Sequence, residues 1–508
     1  MRVNDWRRAW LRGVALVAWL ACATDAAAAA PTPASGPVPD RVVPSADLQA
    51  DLALMRRAFG QLHPGLHRYR SPPEIDAAFD ALGRGFARDR TVGEAYLGIA
   101  GLTAFLQCGH TYPNFFNQSD PSVLALLGAP RLPFEFRWID RRMVVTHAYA
   151  GASALHAGTE ILAIDGRPVG EILDALLPYS RADGANDAKR VSNLEVQGRA
   201  RYEAFDVYFP LRFPRPAGQP FLLELRSAPG EPVQSLAVPA MAAEARRWTD
   251  GAPRGTTNPW GFRFLAPGIA YLGMPTWAMY NSKFAWEEYL DERFRELVAA
   301  GTGDLVIDLR ANEGGSNVGD RLLAHLVEAP LPRLPIERRT RYRQAPADLV
   351  PYLDTWDPGF RDWGEAAVDL GSGFYRLSRA ADGGQAIAPV APRYAGRVWV
   401  LVGPVNSSAT FEFISAVKRH GLATLVGQPS GGNQRGITGG AYFFLRLPRT
   451  GIEVDVPLIG QFPLADPPPP DAGILPDVAV RPSPEDVARG RDTELEAVLE
   501  LIAASRRG

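Results

Sequence analysis

Three short stretches carry residue types and spacings suited to acyl transfer. The first is VWVLVGPVNSSATFEF, Val398–Phe413, in which an apolar run, Val398 to Val402, stops at Gly403–Pro404 and leads into Asn406–Ser407–Ser408. This pattern predicts a buried strand, a tight turn and a hydroxyl at a helix N-terminus. First-turn N–H groups and the helix dipole favour a developing negative charge there, which suits a nucleophile; Asn406 and Ser407 acting simply as a helix cap would give the same pattern. The second stretch is DLRANEGGSN, Asp308–Asn317, where Gly314–Gly315 follows a strand and can turn the backbone so that N–H groups face an anion. A plain strand-to-helix turn also uses Gly–Gly, and the spacing is not that of a GxxxxGK phosphate loop. The third is CGHTY, Cys108–Tyr112. His110 titrates near neutral pH and suits proton transfer, or it packs a helix end; Cys108 fits a buried small hydrophobe or a thiol nucleophile.

The 508 residues exceed what one core usually holds, and 46% hydrophobic with 22% charged residues is an ordinary globular balance. A net charge of -2 gives no concentrated basic surface, so nucleic acid is not expected as a partner. Arg2, Arg7, Arg8 and Arg12 precede an apolar run, Gly13 to Ala23, and the small residues Ala26–Ala30. This reads as an export signal removed from the mature chain, with a twin-arginine route open and a lipid anchor on Cys22 a minor alternative. Cys22 and Cys108 are the two cysteines; removal of the first leaves no intrachain disulfide. The expected location is periplasmic or extracellular, without stable membrane insertion.

These stretches must be positioned by three successive regimes. A linker, 31–45, leads to helical patterning over 46–125, with Leu52, Met55 and Phe59 on one stripe and a later helix through Leu97 and Phe105. His63 and His67 have metal-like spacing, but Pro64–Gly65 keeps them off a common helical face, and no metal is expected there. Over 126–245 short alternations predict strands at Phe134–Trp138, Met143–Thr146, Glu160–Ile164, Phe205–Phe209 and Phe221–Leu225, with a helix from Val169. From 255 to 485 strands alternate with helices: Ile269–Met274, a helix through Trp286 and Leu297, then Leu305–Ile307, a βαβ unit. The segment 331–397 breaks that rhythm; its aromatics predict either a cover over a cleft or a satellite core. A helix ends the chain within 486–508.

Taken in order, CGHTY, the Gly158–Leu176 segment, DLRANEGG, NSSATFEF, LVGQPSGG at Leu425–Gly432 and GILPD at Gly473–Asp477 resemble the tail-specific, or C-terminal-processing, serine peptidase family, including its tricorn-like branch. The resemblance implies a multidomain α/β fold. Its parts would be a helical N-terminal domain, a PDZ-like β-rich domain and an α/β catalytic domain with ββα-type, crotonase- or Clp-like repeats. It also implies that Ser408 is the nucleophile, with Ser407 the rival assignment, and that Gly314, Gly315 and Ala409 build the oxyanion hole.

Many members carry a dyad lysine in the loop after the next strand; here that loop, QPSGGNQRG, has none. Arg435 cannot lose its proton, and Lys418 lies ten residues along the nucleophile's own helix, about 15 Å away. The tricorn-like branch implies His110 as the base, and Asp471 as an indirect orienting group. The expected activity is peptide-bond hydrolysis through an acyl-enzyme, on peptide or protein substrates, with no cofactor and no metal. The alternative is a non-catalytic peptide- or apolar-ligand-binding protein on the same fold. A lipase-type esterase lacks its GxSxG elbow.

Overall fold

The structure, a computed structural model, describes residues 40–246, 256–378 and 386–507; the expected export signal, with Cys22, lies outside them. The helical start follows its apolar stripe. α1, Ser45–Leu62, buries Leu48, Leu52, Met55, Phe59 and Leu62 at three- and four-residue steps. α2, Pro72–Gly85, begins with a capping box between Ser71 and Glu74. α3, Val92–Phe105, has a second box between Thr91 and Glu94 and is buried on most of its faces. It therefore runs through the middle of its layer and delivers the chain to Gly109 and His110.

An antiparallel sheet follows in the order β1 (Phe134–Ile139), β2 (Arg142–Ala148), β3 (Glu160–Ile164), β4 (Phe221–Arg226) and β5 (Gln234–Val238), with α4, Val169–Leu176, after β3. Phe205–Phe209, expected as a strand, lies instead in a helix, Ala204–Arg212. Its aromatics misled the two-residue reading: Phe205 and Phe209 stack at 4.9 Å on one helical face, a four-residue spacing.

The second half holds a six-stranded sheet with strands on both faces buried. Its members are β6 (Gly261–Ala266), β7 (Ile269–Gly273), β8 (Asp304–Asp308), β9 (Arg397–Val402), β10 (Thr424–Gly427) and β11 (Val478–Ala479), in that spatial order. β7 to β11 run parallel and β6 is an antiparallel edge. Helices Trp286–Ala299, Val318–Leu326 and Ser408–His420 cover one face; Thr493–Arg507 covers the other with Val498 and Ile502. Burial on both sides explains the unbroken apolar runs Leu305–Ile307 and Val398–Val402. Asp308 pairs in register with Leu401, and Val402 with Gly427, so the loops after β8 and β9 leave the same sheet edge side by side.

Of the two expectations for segment 331–397, the satellite core does not hold: the segment joins the main core. Ile336–Thr340, Leu353–Asp354, Ala367–Gly371 and Phe374–Leu377 join the hairpin of Thr438–Arg446 and Glu453–Pro463 in a second six-stranded sheet. Tyr342, Leu349 and Leu353 enter the same apolar core as Phe59, Phe134, Ile172, Phe443 and Val456. That core runs through both 46–125 and 126–245.

Candidate active site

At the end of β9 the backbone is tied into a tight elbow. The Gly403 N–H donates to Asn406 Oδ1 at 2.8 Å, and the Asn406 N–H donates to Gly403 O at 3.0 Å. Asn406 Nδ2 also donates to Leu309 O and Asn312 O, tying the elbow to the loop after β8. Asn406 is thus a bridge between two loops. Ser407 occupies the helix N-cap position without making a capping bond, and its Oγ donates to Glu313 O at 3.1 Å. Ser408 opens the helix at φ +53°, in the left-handed region that disfavours residues other than glycine. Strain of this kind, held by the surrounding bonds, sets the Ser408 side chain apart from an ordinary first-turn residue.

The glycine turn lies directly against this elbow. A Cβ on Gly314 would stand 2.8 Å from Ser407 O and 2.9 Å from the Ser408 Cβ, so only glycine allows this approach. Gly314 and Gly315 have φ of 123° and 136°. The Gly314 N–H is taken by Asn312 Oδ1 at 2.9 Å, and that oxygen also accepts from Thr410 Oγ1 at 2.8 Å. Among the described residues no acceptor takes the N–H of Gly315 or of Ala409. Of the three groups expected to hold an oxyanion, these two are the donors left over, while Gly314 supplies the close approach.

His110 follows α3 through Gln107, whose φ of 58° turns the chain out of the helix. Its neighbour Gly109 is held from both sides: the N–H donates to Asp183 Oδ1 at 2.8 Å and the carbonyl accepts from Arg181 Nη1. The imidazole packs against Tyr442 with centroids 6.1 Å apart, and Gly439 leaves room beside its Nδ1. Nδ1 is buried without a hydrogen-bond partner. Burial lowers the His110 pKa; Asp183 pulls it back up and Arg181 pushes it down further. The neutral ring is the form favoured at neutral pH.

Among the described residues no hydrogen bond joins Asp471 to the imidazole. Its Oδ1 accepts from Asn433 Nδ2 at 2.6 Å and from the Ala185 N–H at 3.0 Å, and Asn433 Nδ2 in turn reaches Asp183 O at 3.2 Å. It braces the loop that carries Asp183, two links away from the His110 segment. Cys108 is buried, and burial first, then Asp183, pushes its thiol up to about 11, which removes it as a ready nucleophile. His63 turns inward to Thr111 Oγ1 at 2.8 Å. Lys418 pairs with Asp477.

The residues that reasoning on the sequence missed are Arg181, Asp183, Glu313 and Lys189. Glu313 sits beside the glycine turn with Lys189 Nζ at 2.8 Å and Arg181 Nη2 at 3.2 Å. Its partial burial raises its pKa, but the Lys189 and Arg181 charges together outweigh this and hold it well below the usual carboxylate range. Because 48% of the side chain reaches solvent, although protein walls surround it, water screens part of that attraction. A signal was present: the chain has only three lysines, Lys189, Lys283 and Lys418, and a charged residue inside a Gly–Gly turn is unusual company.

A serine elbow facing a glycine turn at the C-terminal edge of a parallel sheet, within a mixed α/β multidomain fold, is an arrangement suited to acyl transfer. Residues 268–443 match peptidase family S41, and that segment contains both the glycine turn and Ser408. Through that segment the chain is similar to the serine-type peptidases of the tail-specific family. In fold it is similar to mature CPAF, with TM-score 0.61, 17% identity, 90% of this chain and 97% of that one covered. It is similar again to mature CPAF complexed with lactacystin, with TM-score 0.62, 16% identity and coverages of 90% and 98%. The photosystem II D1 C-terminal processing protease aligns over 88% of this chain and 97% of its own at 17% identity, with a TM-score of 0.37. No curated protein matches the chain. No helix among the described residues is long and apolar enough to cross a membrane.

Proposed function

We propose that the protein is an exported peptidase that opens peptide bonds through an acyl-enzyme on Ser408. The observation carrying this reading is the strained Ser408 backbone held against Gly314, 2.9 Å from where a methyl group would begin. Ser408 Oγ bonds to the scissile carbonyl carbon while its proton passes to His110. The oxyanion is met by the Gly315 and Ala409 N–H groups. His110 then protonates the leaving amine as the C–N bond breaks, and water repeats the sequence on the ester. Nδ1 lies buried beside Gly439, which leaves Nε2 for the transfer.

The sheet β1–β5 with α4 is the PDZ-like unit of this reading, and the parallel sheet carries the crotonase- or Clp-like repeats. The arginines and apolar run at the N-terminus support export to the periplasm or beyond. The test is fluorophosphonate labelling and hydrolysis of a peptide library by the wild type, Ser408→Ala and His110→Ala. Labelling and turnover are expected for the wild type alone. Undiminished hydrolysis by either variant removes that residue from the mechanism, and an unlabelled, inactive wild type returns the protein to a peptide-binding role.

A further inference from the structure

Lys189 lies far outside the segment shared with the peptidase family, in a short helix, Asp187–Asn193, yet its ammonium ends between the two loops that form the site. Nζ donates to Glu313 Oε1 at 2.8 Å, to Val405 O at 2.9 Å and to Ser407 Oγ at 3.5 Å. The side chain is 3% exposed. A lysine ammonium has three protons, and here each has an acceptor, so the group is held in one place. Glu313 belongs to the glycine turn; Val405 and Ser407 belong to the nucleophile elbow. One cation thus spans both.

The helix that carries Lys189 is itself anchored. Asn186 Oδ1 caps it by accepting the Lys189 N–H at 3.2 Å, while Asn186 Nδ2 donates to Ser430 O at 2.8 Å and Gly432 O at 3.0 Å. The lysine stem crosses Gly431, where a Cβ would meet Lys189 Cδ at 2.9 Å. The same segment provides Arg181 and Asp183, which hold Gly109 beside His110.

We propose that Lys189 is a positioning residue that fixes the distance between the oxyanion turn and the serine elbow through its three hydrogen bonds. The proposal rests on Ser408 and the Gly314–Gly315 turn forming the reactive site. Oxyanion donors work only when preset within a fraction of an ångström, and two loops on separate strands have no covalent reason to hold that spacing. Lys189 does not take the proton from Ser408: its three bonds go to Glu313, Val405 and Ser407. Burial lowers its pKa, and the Glu313 carboxylate pulls it back up. Arginine cannot replace it, because a planar fork does not meet three acceptors arranged around one nitrogen.

The experiment measures kcat and KM of Lys189→Met, Lys189→Arg, Glu313→Gln and the Lys189→Met/Glu313→Gln double variant, with active sites counted by fluorophosphonate. Each single variant is expected to lose about 100-fold in kcat per labelled site, the range for a disturbed oxyanion donor, with KM changed less than about threefold. The double variant, which removes one charge of each sign facing His110, is expected to be no worse than the worse single one and to keep the pH midpoint of kcat/KM closer to the wild type than either single variant. Retention of kcat within about twofold per labelled site in Lys189→Met overturns the proposal, as does a loss that falls on KM and leaves kcat unchanged. Should Lys189→Met fail to fold, Glu313→Gln reads the same bridge from its half-exposed end. Failure of the underlying reading shows separately, as labelling that survives Ser408→Ala.

Discussion

Gly314 and Ser408 approach so closely that a methyl group on the first would lie 2.9 Å from the Cβ of the second. Gly314→Ala therefore adds a collision to a backbone already at φ 123°. We expect kcat to fall by about 100-fold or more while the fold survives. Gly60→Ala, a helix position with nothing within 4 Å, is the control and should leave kcat unchanged. Equal activity in the two variants would detach the glycine turn from catalysis.

Ser408 at φ +53° predicts an unusual ordering of stabilities. Ser408→Ala keeps the strained backbone, whereas Ser408→Gly removes its cost, about 1 kcal/mol. Both variants should be inactive, and urea unfolding should find the glycine variant the more stable of the two. The reverse order would mean that the elbow is not strained.

With His110 as the proposed base, its lowered pKa predicts where the acid side of the activity profile falls. Burial disfavours the imidazolium, so the neutral, proton-accepting form persists below the ordinary value of 6.5. The midpoint of kcat/KM on the acid side should therefore fall below 6.5, with little further gain above pH 7. A midpoint above 6.5 would point to a different group.

His63 makes a separate prediction about stability. Burial, followed by the Arg68 charge, lowers its pKa from 6.5 to about 3. As pH falls below 6.5 the unfolded chain takes up a proton that the native chain refuses, so stability is lost between 6.5 and about 3. At about 1.4 kcal/mol per pH unit the loss by pH 4.5 is about 3 kcal/mol. His63→Gln, compared with the wild type by urea unfolding at pH 7 and pH 4.5, should lack most of this loss. An equal loss in both proteins would assign the acid sensitivity elsewhere.

How far these features could be read in advance depends on how local they are. The elbow and the glycine turn were legible because strand, stop and helix start follow one another within Val398–Phe413 and Asp308–Asn317. Ile336–Thr340 was not, because its reason to be a strand is its pairing with Gly460–Pro463, more than a hundred residues on. The helix Ala204–Arg212 was misread because phenylalanine, valine and tyrosine favour strands until a core accepts their four-residue stripe. Lys189 is marked only by the rarity of lysine in this chain, not by its neighbours in sequence; the packing of its helix onto Ser430 and Gly432 brings it to the site. That the Gly314 N–H donates to Asn312 Oδ1 is invisible in the sequence, because it depends on how the loop after β8 folds back on itself.

The contacts that assemble the site run from Gly109 to Arg181, from Arg181 to Glu313, and from Glu313 to Ser407, each link joining distant parts of the chain. During synthesis these arrive in order, and a chain that has not reached Ser407 holds no elbow for the earlier groups to meet. The three links close only when four separate parts of the chain have come together, so the surroundings of Ser407 are a product of the tertiary fold and not of any one local stretch.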